Sequence, residues 1–171
     1  GTSQIEALTT AQAGVLTSVQ VAGLSSSQVA AMQTADLSKL STGAITGLTT
    51  AAMAGLTVDQ VAALSTAQMS KLTSTQLGAL GTAQIEALTT AQAAVLTTAQ
   101  AAGLSTAQIS RLEAADQAQL STAVIAGLTP AQLGALSAQQ IADLTTTQSA
   151  ALTATQAAGL TTAQLTAMET A

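Results

Sequence analysis

The residue types that perform most enzyme chemistry are scarce in this chain of 171 residues. It has no histidine and no cysteine, so it offers no imidazole base, no thiolate nucleophile, no disulfide and none of the usual zinc ligands. The remaining acid–base groups are eight carboxylates, most of them far apart in sequence: Glu6, Asp36, Asp59, Glu86, Glu113, Asp116, Asp143 and Glu169. We therefore predict no catalytic residue, no metal site, no cofactor and no enzyme activity.

Glu113 and Asp116 are the closest pair of acids, and they could form half of a carboxylate acid–base dyad. The alternative is a modified helix start, in which acidic side chains lie near a helix N-terminus. We favour the second interpretation, because the two residues occupy the helix-cap position and the recurrent glutamine position of the eight-residue repeat.

Only three cations are present, Lys39, Lys71 and Arg111, and each follows a serine and precedes a leucine. With a net charge of −5 and no aromatic residue, the chain cannot form the basic, aromatic surface that nucleic-acid binding requires. We expect the aliphatic stems of the three cations to cover the edge of an apolar core.

The elements that position these residues follow from an eight-residue repeat. Leucine or methionine occupies every eighth residue from Leu8 to Met168, which defines 21 octads of the form Thr-Thr-Ala-Gln-Ile-x-x-Leu. We number the octads from residue 1 and call their positions the first to eighth columns. A repeat of this regularity indicates one structural element per octad, stacked on its neighbours.

The first and fourth columns have the spacing of a helix capping box. Serine or threonine fills the first column in 17 of 21 octads, and glutamine fills the fourth in 16. This spacing predicts a helix start in every octad, and Pro130, directly after Thr129, suits the first helical position. We assign structural capping to these residues: Thr9, Gln12, Thr57, Gln60, Ser65, Gln68, Thr97, Gln100, Ser105 and Gln108. A binding role for the glutamine column is the weaker alternative.

Two other architectures are excluded by the period. On one continuous helix of about 100° per residue, the leucine would drift by roughly 80° per octad, which no coiled coil absorbs. In a β-solenoid, the apolar fifth and eighth columns would point to opposite faces of a strand.

We therefore predict an all-α solenoid, with one helix of about one and a half turns per octad and about three to four helices per coil. The fifth and eighth columns and the alanines of the third are expected to face inward with the glutamine, and the second and sixth columns to face solvent. Met32, Met53, Met69 and Met168 are assigned to the core. Glycines of the sixth and seventh columns indicate close approach of neighbouring backbones.

The chain is predicted to be one continuous solenoid over residues 1–171. A second period divides it into ten-octad units at 1–80 and 81–160, with 161–171 beginning a further unit, because Gln33 and Asp36 align with Glu113 and Asp116. Since neither end departs from the consensus, we expect a segment of a longer array, with flanking repeats as its partners. Polar residues interrupt every apolar stretch, so no membrane insertion is expected.

The Leu-Thr-Thr-Ala-Gln octads resemble repeat tracts of very large secreted or surface proteins of bacteria, which are adhesin-like chains. The resemblance covers the whole chain and implies an extracellular or cell-surface location and a structural role. Our leading hypothesis is a spacer or stalk segment. The alternatives are a module that presents a threonine lattice to ice or polysaccharide, and a segment of a self-assembling filament.

Overall fold

The computed structural model describes residues 1–169, and within that range every octad forms one short helix and no strand occurs. The first ten helices are α1 (Thr2–Glu6), α2 (Thr10–Gly14), α3 (Ser18–Ala22), α4 (Ser26–Ala31), α5 (Thr34–Lys39), α6 (Thr42–Ile45), α7 (Thr50–Ala54), α8 (Val58–Ala62), α9 (Thr66–Lys71) and α10 (Ser74–Gly78). The others are α11 (Thr82–Glu86), α12 (Thr90–Ala94), α13 (Thr98–Ala102), α14 (Thr106–Ile109), α15 (Ala114–Gln119), α16 (Thr122–Gly127), α17 (Pro130–Gly134), α18 (Ala138–Ala142), α19 (Thr146–Ala150), α20 (Ala154–Ala158) and α21 (Thr162–Glu169).

Each helix begins in the second column, directly after a cap residue in extended conformation. Thr57, for example, has φ −78° and ψ 163° and precedes α8. The eighth-column N–H then closes the last turn by donating to the fifth-column carbonyl, as Leu72 does to Met69 at 3.2 Å. Such short helices are unstable in isolation, so they depend on their caps and on packing between coils.

The helices stack into a solenoid in which contacts join helices three octads apart, such as α10 with α13 and α13 with α16. Hydrogen bonds between coils join residues 28 apart, for example Gln100 and Leu72. Since 28 residues are three and a half octads, each helix lies over a corner between two helices of the preceding coil. The predicted all-α solenoid with three to four helices per coil is confirmed.

The core is a thin column of aliphatic side chains from the fifth and eighth columns. Met53 and Met69 are fully buried, Met32 is almost fully buried, and Leu64 retains 4 % of its exposure. Met168 is half-buried and packs against the same core. Without any aromatic residue, these side chains and the buried glutamines fill the space between coils.

The third column does not face the core, and that prediction was wrong. Every third-column residue of the octads is exposed, including the alanines such as Ala83 and Ala107. With the glutamine included, the buried arc of the helix is centred between the fourth and fifth columns, and at about 100° per residue the third column lies roughly 150° away from that centre. Alanine suits this exposed position through its helix propensity. The second and sixth columns contain no buried residue within 1–169, as expected.

Several glycines mark places where coils approach closely, as predicted. A Cβ on Gly47 would lie 2.1 Å from the carbonyl oxygen of Ser18, and one on Gly127 would lie 2.2 Å from the Thr98 methyl. Both pairs join a seventh-column glycine to a second-column residue 29 positions earlier. Gly23, by contrast, would meet only the carbonyl of Gln20 in its own helix, at 3.4 Å. The glycines have no positive φ, so the space between coils is the requirement at Gly47 and Gly127.

Candidate functional site: the buried glutamine column

The fourth-column glutamine caps its own helix with its side-chain oxygen. In α13, the Thr97 N–H donates to Gln100 Oε1 at 2.8 Å, and the Gln100 N–H donates to Thr97 Oγ1 at 3.3 Å. The Thr97 hydroxyl donates to the same Oε1 at 3.1 Å. Two N–H groups that a helix start leaves unpaired are thereby satisfied, and the threonine hydroxyl is occupied as well.

The other residues assigned to capping have the same reciprocal geometry. The pairs are Thr9 with Gln12, Thr57 with Gln60, Ser65 with Gln68, and Ser105 with Gln108. All four glutamine oxygens lie 2.7–2.9 Å from the cap N–H nitrogen. The ten residues therefore form five local pairs, one in each octad, and they do not converge on a common site.

The amide end of the same glutamine performs a second task that the sequence interpretation did not include. Gln100 Nε2 donates to the carbonyl of Met69 at 2.8 Å and to that of Leu72 at 2.7 Å. Both carbonyls lie at the end of α9 on the preceding coil, where a helix leaves C=O groups short of partners; Met69 O already accepts from the Leu72 N–H and gains a second donor. One side chain thus satisfies the start of one helix and the end of another.

This contact between coils recurs at a fixed register. From Gln60 onward, every fourth-column glutamine donates to the carbonyl 28 residues earlier, and most donate also to the one 31 residues earlier. Gln12 and Gln20, in the first coil, are exposed, and no Nε2 bond of theirs exists within residues 1–169.

One signal in the sequence points to this second task. A capping box accepts glutamate as readily as glutamine, yet the fourth column contains no glutamate. Only glutamine carries N–H groups beside the accepting oxygen. The choice of glutamine over glutamate therefore indicates that the column must donate as well as accept.

The acidic octad departs from this pattern in the way predicted for a modified helix start. Glu113 is the N-cap of α15 without a side-chain cap bond, and Asp116 occupies the fourth column. Asp116 is 2 % exposed, and its Oδ2 has no hydrogen-bond partner. Burial, followed by the charge of Glu113, raises the pKa of the Asp116 carboxyl. Asp116 lies inside the stack and Glu113 on its surface, so the two carboxyls do not line a common open cleft.

The three cations are exposed, and they do not form a patch. Arg111 lies 3.8 Å from Glu86, and both side chains are more than half exposed, so solvent screens this ion pair. Lys39 and Lys71 end α5 and α9 respectively. Within residues 1–169, no group of three or more acidic, histidine or cysteine side chains is placed to hold a metal ion.

A shallow surface groove of about 420 Å³ runs along α7, α10 and α13. Its lining is small or hydroxylated: Thr50, Ser74, Thr75, Gly78, Ala79 and Gly103. It contains no ionisable group, so it offers a surface for weak polar contacts and no site for acid–base chemistry.

Stacked octad helices that are joined by a capping glutamine define the chain as a repeat protein of the all-α solenoid class. The sequence model of the ALTTAQ repeat family matches residues 29–66, 59–90, 69–106 and 109–146, which together are more than half of the chain. The protein therefore belongs to the ALTTAQ repeat family. No curated protein and no solved structure matches the chain.

Proposed function

We propose that this solenoid is a structural spacer or stalk segment of a large bacterial extracellular or cell-surface protein. The observation that carries the proposal is the location of the repeated chemistry. The two residues that recur most strictly in the repeat, the leucine of the eighth column and the glutamine of the fourth, make contacts between coils. A chain built in this way extends with each added octad and needs no ligand to do so.

The outward columns support the same interpretation through their variety. The sixth column contains Glu6, Ser38, Thr46 and Glu86 at exposed or half-exposed positions. A binding lattice requires the same group at successive outward positions. The cap hydroxyls, although regular, already bond to glutamine in the same octad.

Flanking repeats of the same kind are the partners that we propose for the two ends. Val15 is 78 % exposed on the first coil, whereas Val95, its counterpart 80 residues later, is half-buried against the core. Gln12 is exposed, whereas its counterpart Gln92 is buried and bonds to the carbonyls of the preceding coil. Another coil of octads would supply what these groups contact elsewhere in the chain.

We further propose that the protein is not an enzyme and neither binds nucleic acid nor inserts into membranes. The lack of histidine and cysteine, the separation of the acids and the net negative charge support this view. Among residues 1–169, none of the helices has the length and apolar character that crossing a bilayer requires.

A length measurement tests the spacer function. Cysteines introduced at the exposed positions Thr10 and Thr162 would carry spin labels for distance measurements, because the chain has no native cysteine. The unit 81–160 would then be inserted once or twice between the labels. We expect a single narrow distance distribution whose mean grows linearly with the number of units. A broad distribution that grows as about the square root of length is the behaviour of a flexible tether and would refute a rigid spacer.

Presentation of a threonine surface is the second candidate, and one observation favours it. Thr82, Thr90, Thr98 and Thr106 are all exposed in the second column. Thermal hysteresis and glycan-array binding would be measured on the parent and on the variant with all four changed to alanine. Activity in the parent that is lost in the variant, with the melting temperature unchanged, would favour this function over the spacer.

A further inference from the structure

The fourth column lacks glutamine in two places, first at Asp36, Ala44 and Ala52 and again at Asp116 and Val124. By the register of 31 and 28 residues, the carbonyls opposite Asp116 belong to Ile85 and Leu88. Ile85 O accepts from the Leu88 N–H of its own octad at 3.2 Å. No glutamine amide reaches either carbonyl within residues 1–169, so octad 15, like the other octads without a fourth-column glutamine, lacks the donor that Gln100 supplies to octad 9.

The polar groups at this interruption are acceptors. Asp116 Oδ2 is buried without a partner, and so is Oε1 of the neighbouring Gln117, whose amide donates away from this coil to the carbonyl of Gln140. In the related octad 5, Asp36 is equally buried and its Oδ2 is also without a partner, but there Gln33 in the first column donates to the carbonyl of Glu6 at 3.0 Å. Octad 15 has Glu113 at that position, and an ionised glutamate has no proton to donate.

We propose that Asp116 is held as a neutral carboxylic acid and that its O–H replaces the glutamine amide in joining octad 15 to octad 11. The contact between these coils then depends on one proton. The contact includes this hydrogen bond when Asp116 is protonated. It is weakened when Asp116 ionises, because the carboxylate has no proton to donate and lies among buried acceptors. This inference does not depend on the spacer function.

The charges around Asp116 favour the neutral acid. Octads 12, 16 and 19, which contact or adjoin octad 15, contain no charged residue. Octad 11 contributes Glu86, octad 18 contributes Asp143, and the cap contributes Glu113, all negative. Arg111, at the end of octad 14, is the one cation in these octads, and it lies on the surface beside Glu86. Burial also favours the neutral acid, because it raises the pKa of Asp116.

The sign of the pH effect follows from that raised pKa. An unfolded aspartic acid ionises at about pH 3.9, below the folded value, so unfolding releases a proton between the two values. The stabilisation is therefore complete below the ordinary pKa and is lost as the pH rises through the raised folded pKa. Each unit between the two values changes the unfolding constant about tenfold.

The test compares melting temperatures, by far-UV circular dichroism, from about pH 3 to pH 8 for the parent, D116N, D116Q and E113Q. We expect the melting temperature of the parent to fall with rising pH relative to that of D116N, whose amide keeps a donor at every pH. D116Q, which restores the repeat, should be at least as stable as the parent at neutral pH. E113Q should move the fall in melting temperature to lower pH, because the negative charge that opposes ionisation of Asp116 is removed and the pKa of Asp116 is lowered.

A direct measurement of the protonation of Asp116 makes the test independent of the stability of the protein. The ¹³C shift of its carboxyl should titrate above the ordinary range, and the exposed-acid variant D59N should leave that titration unchanged. Parallel pH profiles of the parent and D116N would overturn the proposal. So would millimolar Ca²⁺ raising the melting temperature of the parent and not of D116N, because Asp116 would then be an ionised cation ligand.

Discussion

Replacing Gln100 by glutamate separates the two tasks of the glutamine column. A glutamate keeps an oxygen that can accept from the Thr97 N–H, but it loses the N–H groups that donate to Met69 and Leu72. Two lost hydrogen bonds cost about 1–3 kcal/mol, and a carboxylate buried against two carbonyls adds about 1–3 kcal/mol. We therefore expect Gln100→Glu to destabilise the protein by about 2–6 kcal/mol.

Gln12→Glu is the matched control, because Gln12 makes the cap bond and no amide bond within the described residues. It should change stability by less than about 0.5 kcal/mol. Urea unfolding followed by far-UV circular dichroism measures both variants. Hydrogen exchange at the Thr97 N–H then separates Gln100→Glu, which should keep that proton protected, from Gln100→Ala, which should not. Equal costs for Gln100→Glu and Gln12→Glu would refute the structural role of the amide end.

Other substitutions test the packing between coils and the corrected orientation of the third column. Leu64→Ala should cost about 2–5 kcal/mol through a cavity in the core, and a cost under about 1 kcal/mol in urea unfolding would contradict the burial of this leucine. Gly47→Ala should cost about 1–3 kcal/mol or more in urea unfolding, because its Cβ would meet the Ser18 carbonyl, whereas Gly23→Ala should stabilise by about 0.4–1 kcal/mol in the same assay. Ala107→Lys should stay within about 0.5 kcal/mol of the parent, and a large loss of stability would restore the third column to the core.

The hydrogen bonds that sequence spacing predicted are those within one octad. A cap bond joins residues three positions apart, so the spacing of Thr97 and Gln100 predicts it directly. The bond from Gln100 to Leu72 spans 28 residues, a distance that the coil sets and that is not a multiple of eight. The repeat period therefore does not predict this bond. The one indication of it in the sequence is the preference for glutamine over glutamate in the fourth column.

The error on the third column has a related cause. The apolar character of alanine predicts an inward position, but on a helix of five residues the buried arc is narrow and the glutamine occupies part of it. The burial of Asp116 agrees with its column, which is expected to face inward. The spacing does not predict that Asp116 Oδ2 lacks a hydrogen-bond partner, because a carboxylate at a helix start is ordinarily exposed to water.

The amide bonds that the fourth-column glutamines make between coils all run in one sense, from a later glutamine to an earlier carbonyl. During synthesis the earlier coil leaves the ribosome first, so its carbonyls are already in place when each new glutamine emerges. No coil has to wait for residues not yet made in order to satisfy its own glutamine. The array can thus fold in the order of its translation, one octad after another, with the growing end always presenting acceptors to the next octad.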